Sequence, residues 1–124
     1  MHNPPTNRLA ILRLFLVRTR EGCAEALLEN FKTNSVDVVR YKPGNLGFFY
    51  GKGAMLDNNH LVFASLWDSI ESIQERFGED WQQSYLPEGY DELILEHSVQ
   101  HIELSEEGIE LDFRKLMRGP MAGI

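Results

Sequence analysis

Two strands that are apolar on both faces constrain this chain more than any other feature. The run from Leu9 to Val17 reads LAILRLFLV. Side chains alternate along a strand. Leu9, Ile11, Phe15 and Val17 therefore point one way, with Arg13 among them, and Ala10, Leu12, Leu14 and Leu16 point the other. The run from Leu61 to Trp67, LVFASLW, is apolar on both faces as well. Strands of this kind need cover on both sides. A buried helix segment has the same composition, but the first run is short and Arg13 interrupts it. The rest of the chain offers about two helices, enough for one side. A second copy packed sheet to sheet supplies the other side, so a homodimer is expected.

The order of elements follows from period and punctuation. Ala24, Leu27, Leu28, Phe31, Val38 and Val39 keep helical spacing, which predicts a helix from about Glu21 to Arg40. Pro43-Gly44-Asn45 stops it. Leu46 to Lys52 reads as a Gly-interrupted strand, and Asp57-Asn58-Asn59 turns it back into Leu61 to Trp67. Asp68 is the expected N-cap of a second helix, with Glu71 three residues on as in a capping box. Ile70, Ile73 and Phe77 form its apolar side, and Gly78 ends or kinks it. Trp81 to Leu86 reads as another helical turn, Tyr90 to Leu95 as a short helical piece, and Glu96 to Leu104 as the fourth strand. This order is the split βαβ arrangement of an α+β, ferredoxin-like fold with an antiparallel sheet.

Size allows one domain, from Leu9 to Leu104. Residues 1–8 read as a loose polar arm. Residues 105–124 form a C-terminal extension in which Ile109, Leu111 and Phe113 alternate with acids, as in an extra edge strand or an arm laid on the partner subunit.

Composition excludes several classes. The charge is −7, from 12 basic and 19 acidic residues, with no basic cluster for nucleic acid or an anionic membrane. The single cysteine, Cys23, can form no internal disulfide, which fits a reducing cytoplasm. No apolar run approaches the roughly 18 residues of a membrane span. There is no phosphate-binding Gly loop, Ser nucleophile elbow or zinc spacing.

The pattern resembles the antibiotic biosynthesis monooxygenase family, of the dimeric α/β-barrel superfamily. The resemblance rests on Pro43-Gly44-x-Leu46-Gly47, the apolar strand closing on Trp67, the Asp68-Ser69 cap, and the run Glu96 to Glu103. It implies a homodimer with a pocket in each subunit between helices and sheet. Some members oxygenate polyphenolic rings without metal or cofactor, and others bind and degrade haem. Haem-degrading members use an Asn on the first strand, a Trp in the second helix and a following His. Phe15, Arg76 and Leu86 stand at those places here, and iron needs an axial ligand. In ring-oxygenating members Trp67 has a counterpart near the pocket, whereas Phe63 replaces an Asn four residues before it.

The candidate residues each carry two readings. Trp67 either holds a substrate oxygen through its indole N–H or anchors the strand–helix corner. Arg13 either binds an anionic substrate or phenolate or pairs with a carboxylate across the dimer. His97 and His101 share a strand face roughly 13 Å apart, too far for one metal; one of them can act as a general base, or both are structural. Tyr50, Phe77, Trp81 and Tyr85 can line a flat cavity for an aromatic ligand or simply fill the core. Cys23 has no nearby His to make it a nucleophile. The leading expectation is a cofactor-independent oxygenase for a small aromatic or quinol substrate, with Arg13, His97 and His101 catalytic and Trp67, Tyr50, Phe77 and Trp81 binding. The alternative is a non-catalytic homodimer that binds a hydrophobic ligand or partner. Haem binding is the weakest of the three.

Overall fold

The computed structural model describes residues 10–54 and 59–118. Four strands form one antiparallel sheet: β1 (Ala10–Thr19), β2 (Asn45–Lys52), β3 (His60–Trp67) and β4 (Ile94–Leu104), in the order β2-β3-β1-β4. This is the expected ferredoxin-like α+β topology. The central strand β1 is paired along its whole length, with Phe15 opposite Phe63 on one side and Val99 on the other.

Both predicted helices form on one side of the sheet. The first is not uniform: α1 (Ala24–Asn30) passes through a π-helical turn (Phe31–Ser35) into α2 (Val36–Val39). Its apolar stripe supplies Leu27, Phe31, Val36 and Val39 to the core. Phe31 is the hub of that layer. Its ring lies 5.5 Å from Phe63, 6.0 Å from Tyr50, 6.2 Å from Tyr90 and 6.3 Å from Phe15, centre to centre. The second helix is α3 (Ile70–Phe77), which buries Ile73.

The two faces of β1 separate as the alternation requires. Ile11, Arg13, Phe15, Val17 and Thr19 are buried beneath the helices. Leu12, Leu14 and Leu16 stay partly accessible on the far face, beside Val62 and Leu66 of β3. Phe49 and Ile102 are exposed there, at 60% and 38%. No helix among the described residues is long and apolar enough to cross a membrane.

Several local expectations need correction. The N-cap of α3 is Ser69, not Asp68: its hydroxyl accepts from the Ser72 N–H at 3.1 Å. Asp68 is held in the preceding corner instead. Its N–H donates to the Gly44 carbonyl at 2.9 Å, and its carboxylate accepts from the Ser69 and Ser72 hydroxyls. The helical piece expected over Tyr90 to Leu95 is a pair of turns, because Tyr90 is drawn fully into the core, and β4 starts at Ile94. Only a short 3-10 turn (Gly78–Asp80) follows α3, in place of a helical turn from Trp81 to Leu86. In the extension, residues 109–112 join no strand; a 3-10 turn (Glu106–Gly108) and α4 (Phe113–Arg118) flank them. The N-terminal arm and most of the Asp57-Asn58-Asn59 turn lie outside the described residues, although the β2–β3 hairpin forms as expected.

Gly44 ties these elements together. Its φ is +83°, and an added Cβ would collide with the side chain of Ser72 at the start of α3. Gly44→Ala is therefore expected to destabilise the fold by about 1–3 kcal/mol. Urea denaturation at neutral pH measures this; an unchanged midpoint would show that the corner is not tight.

Candidate functional site

The layer between sheet and helices holds one small cavity of about 40 Å³. That is room for a water or two, well below the roughly 300–1,000 Å³ of ligand pockets. Arg13, Phe15, Phe63 and Ser65 form its floor on the sheet. Ser35, Val38 and Val39 come from the first helix, Phe77 from the second, and Tyr85 and Pro87 from the loop after it.

Arg13 is the central group. It is only 5% exposed, and its position on β1 points it inward among Ile11, Phe15 and Val17. A guanidinium has five donors and no acceptor. One of its Nη1 hydrogens goes to the Trp81 carbonyl, Nη2 donates to the Gln83 carbonyl at 3.1 Å, and Nη1 lies 2.9 Å from His101 Nε2. Its plane lies over the Phe77 ring, with Cζ 3.9 Å from the centroid. None of the ion pairs among the described residues involves Arg13. Within the chain its partners are thus carbonyl dipoles, an imidazole and a π face. Burial pushes the guanidinium down to about 10, so it is still charged at neutral pH.

His101 stands directly opposite Arg13 across the β1–β4 pair. Arg13 can only donate, so Nε2 accepts and the neutral ring carries its hydrogen on Nδ1. Burial first, and the charge of Arg13 second, lower its pKa below the usual 6.5. The Trp81 ring meets the imidazole edge-on at 5.0 Å. Four of the candidates, Arg13, His101, Phe77 and Trp81, therefore form one cluster.

The others lie apart. His97 is exposed, paired with Val17 four rows along the strand from the Arg13–His101 row, with its ring 6.4 Å from Phe15. Tyr50 stacks on Phe63 at 5.8 Å and meets Phe31 edge-on, inside the aromatic core. Trp67 is fully buried, and its indole N–H donates to the Ser65 hydroxyl at 2.8 Å. It touches the site only through Ser65 and through an edge-on contact with Phe77 at 5.9 Å. Cys23 is a free thiol at the start of α1. No group of three or more His, Cys, Asp or Glu among the described residues could hold a metal ion.

Sequence reasoning missed three hydroxyls. Ser35 and Ser65 are buried in the cavity wall, and Tyr90 hydrogen-bonds Ser35 at 2.6 Å and the Asn30 carbonyl at 3.0 Å. Ser35 stands at i+4 from Phe31 on the apolar stripe of the first helix, a polar interruption that could have flagged it. Nothing in the sequence marks the π-helical turn that brings it in; such turns recur at functional sites.

The His101 arrangement has a pH consequence. Its folded pKa lies below its unfolded one, so the neutral ring stabilises the fold above about pH 6.5, and this is lost as pH falls through the folded value. His101→Gln keeps an acceptor for Arg13 but does not titrate. Its urea midpoint is expected to fall less steeply than the wild type's between about pH 7.5 and 5. Parallel curves for the two proteins would remove His101 from the acid response.

The match to known proteins agrees with this geometry. The family model for antibiotic biosynthesis monooxygenase matches residues 10–86, from β1 to the loop that closes the cavity. Comparison with curated protein sequences finds no match. Among solved structures, protein SO0527 from Shewanella oneidensis is 19% identical, with a TM-score of 0.64 over 80% of this chain and 94% of that one. A protein from Deinococcus radiodurans described as a candidate antibiotic biosynthesis monooxygenase gives 14% identity and a TM-score of 0.61, over 82% and 98% of the two chains. The haem-degrading protein Rv3592 from Mycobacterium tuberculosis gives 18% and 0.57, over 86% and 99%. At these identities the likeness of the structures carries the fold alone. The family match spans more than half of the sequence, and the chain belongs to the antibiotic biosynthesis monooxygenase family.

Proposed function

We propose that this protein is a homodimeric, cofactor-independent oxygenase that oxidises a small aromatic or quinol-type substrate held between sheet and helices. The observation that carries the reading is a buried guanidinium, ion-paired with no carboxylate among the described residues, lying on an aromatic ring at the wall of the cavity. A quinol or anthrone that loses its phenolic proton is electron-rich enough to react with O₂ directly. One oxygen atom is kept as a new carbonyl and the other leaves as water. The protein's task is to bind the ring, stabilise the anion and exclude water.

Arg13 stabilises the anion, and Phe77 with Phe15 and Phe63 supplies the apolar walls. His101 is better placed than His97 to serve as the base, because it lies directly beside Arg13, the group that meets the anion. Trp67 acts as a positioning residue behind Ser65, because its N–H is already used. Arg13→Met is expected to lower kcat for a reactive quinol or anthrone about 100- to 1,000-fold, the usual loss on removing one anion-stabilising donor. Oxygen-electrode measurements on a panel of such substrates test this. Uptake no faster than in buffer for every compound would sink the oxygenase reading.

The accessible apolar face built by Leu12, Leu14, Leu16, Val62 and Leu66 supports sheet-to-sheet pairing of two copies. Leu14→Lys puts a charge at its centre and is expected to give a monomer by native mass spectrometry, where the wild type gives a dimer. A wild-type monomer at micromolar concentration would defeat the pairing.

The non-catalytic alternative is favoured by the absence of polar groups at Phe15 and Phe63, both buried in the aromatic core. Haem is supported less. The cavity wall offers neither His nor Cys to iron, and His101 is engaged by Arg13. The unpaired thiol of Cys23 fits a cytoplasmic setting.

A further inference from the structure

The cavity is too small for any aromatic ring, so a substrate has to displace something. The loop from Trp81 to Leu93 is the element that closes it, through Tyr85 and Pro87. The two ends of this loop are held differently. At the far end Tyr90 is fully buried and bonded to Ser35 and Asn30, while Arg20 bonds the Glu92 and Leu93 carbonyls. At the near end its hydrogen bonds across to the sheet come from Arg13, which holds the Trp81 and Gln83 carbonyls, and the Trp81 ring also rests against His101 on β4. Between the two, Tyr85 is half-exposed, resting on Phe77 at 6.0 Å and under the Arg76 guanidinium at 5.8 Å.

We infer that Arg13 is both latch and receptor: a planar aromatic bearing an oxyanion takes its two donors away from the Trp81 and Gln83 carbonyls, and this exchange releases the loop and opens the pocket. This reading rests on the proposed substrate site and narrows its ligand to a carboxylate or phenolate on a flat ring. The chemistry favours the exchange. Neutral carbonyls are weaker partners for a guanidinium than an oxyanion, which can accept two parallel N–H bonds. Apolar walls for the ligand ring are already there in Phe15, Phe63 and Phe77 around the same guanidinium. A neutral ring of the same shape gives Arg13 nothing in return for the two carbonyls and leaves the loop shut. The exchange also moves Nη1 away from His101, so Nε2 becomes free to take a proton only when an anion has been bound.

The test is binding measured together with loop release, and it does not involve oxygen. Naphthoate is the carboxylate probe, para-nitrophenol above its ionisation is the phenolate probe, and naphthamide is the neutral isostere of the first. Release is read by chymotryptic cleavage after Tyr85 in the native protein. At least one oxyanion is expected to bind saturably in the millimolar range or tighter and to speed that cleavage by about tenfold. Naphthamide is expected to do neither, and whichever oxyanion acts identifies the natural group. Arg13→Met is expected to be cleaved rapidly without ligand and to ignore all three probes. Arg13→Lys, which keeps the charge but loses the fork, is expected to hold the loop less well than the wild type and better than Met. Equal binding of naphthamide and naphthoate overturns the inference. So does oxyanion binding that leaves cleavage unchanged, or no saturable binding by either oxyanion. A protein that opens for the anion yet consumes no O₂ fails as an oxygenase only; one that turns over quinols behind a shut loop fails as a latch only.

Discussion

One-sided cover of a two-sided apolar sheet organises this protein. The chain is long enough to lay its helices on one face, and they bury Ile11, Phe15, Phe63 and Trp67 there. The other face, with Leu12, Leu14 and Leu16, is left accessible. Burial of apolar area is the main favourable term in folding and in association. The same strands can therefore serve a core on one side and a partner on the other. Alternation along β1 assigns each residue to its task, and a slip of one residue would exchange the two sets.

Arg13 is the exception on the covered face. Placing a charge among Ile11, Phe15 and Phe63 is costly unless its donors are met. The fold meets them with the carbonyls of a loop, a neutral imidazole and the face of Phe77. This arrangement satisfies hydrogen bonding without neutralising the charge. A carboxylate partner would have made an inert ion pair. The carbonyls leave a cation that no carboxylate among the described residues neutralises.

Phe15 and Phe63 stand where the family resemblance implies polar groups. Phe63 and Phe15 extend an aromatic cluster centred on Phe31. Hydroxyls enter from elsewhere: Ser65 beneath Trp67, and Ser35 with Tyr90 across the cavity. The polar character of the cavity wall comes from Arg13 on β1, Ser65 on β3 and Ser35 on the first helix. Family membership leaves that difference open, because the matched features are largely turn, cap and core positions that specify fold rather than chemistry.

Much of the architecture was legible in the sequence because it depends on short-range rules. Strand alternation sorted the residues of β1 onto its two faces, helical spacing found the first helix and the apolar side of the second, and the turn residues Gly44 and Gly78 marked the element ends they occupy. The misreadings occurred where distant groups compete with local preference. Asp68 matches the sequence pattern of a cap, but Gly44 holds it in the corner and passes the role to Ser69. Tyr90 lies in a segment that reads as helical, but its hydroxyl is pulled into the core by Asn30 and Ser35. The candidate site divides the same way. Residue type alone singled out Arg13, His101, Phe77 and Trp81. That these four converge, while His97 and Tyr50 stand apart, was decided by β1–β4 register and by the path of the loop after α3. Those are contacts between residues 68 to 88 positions apart in the chain, where no local pattern carries the information.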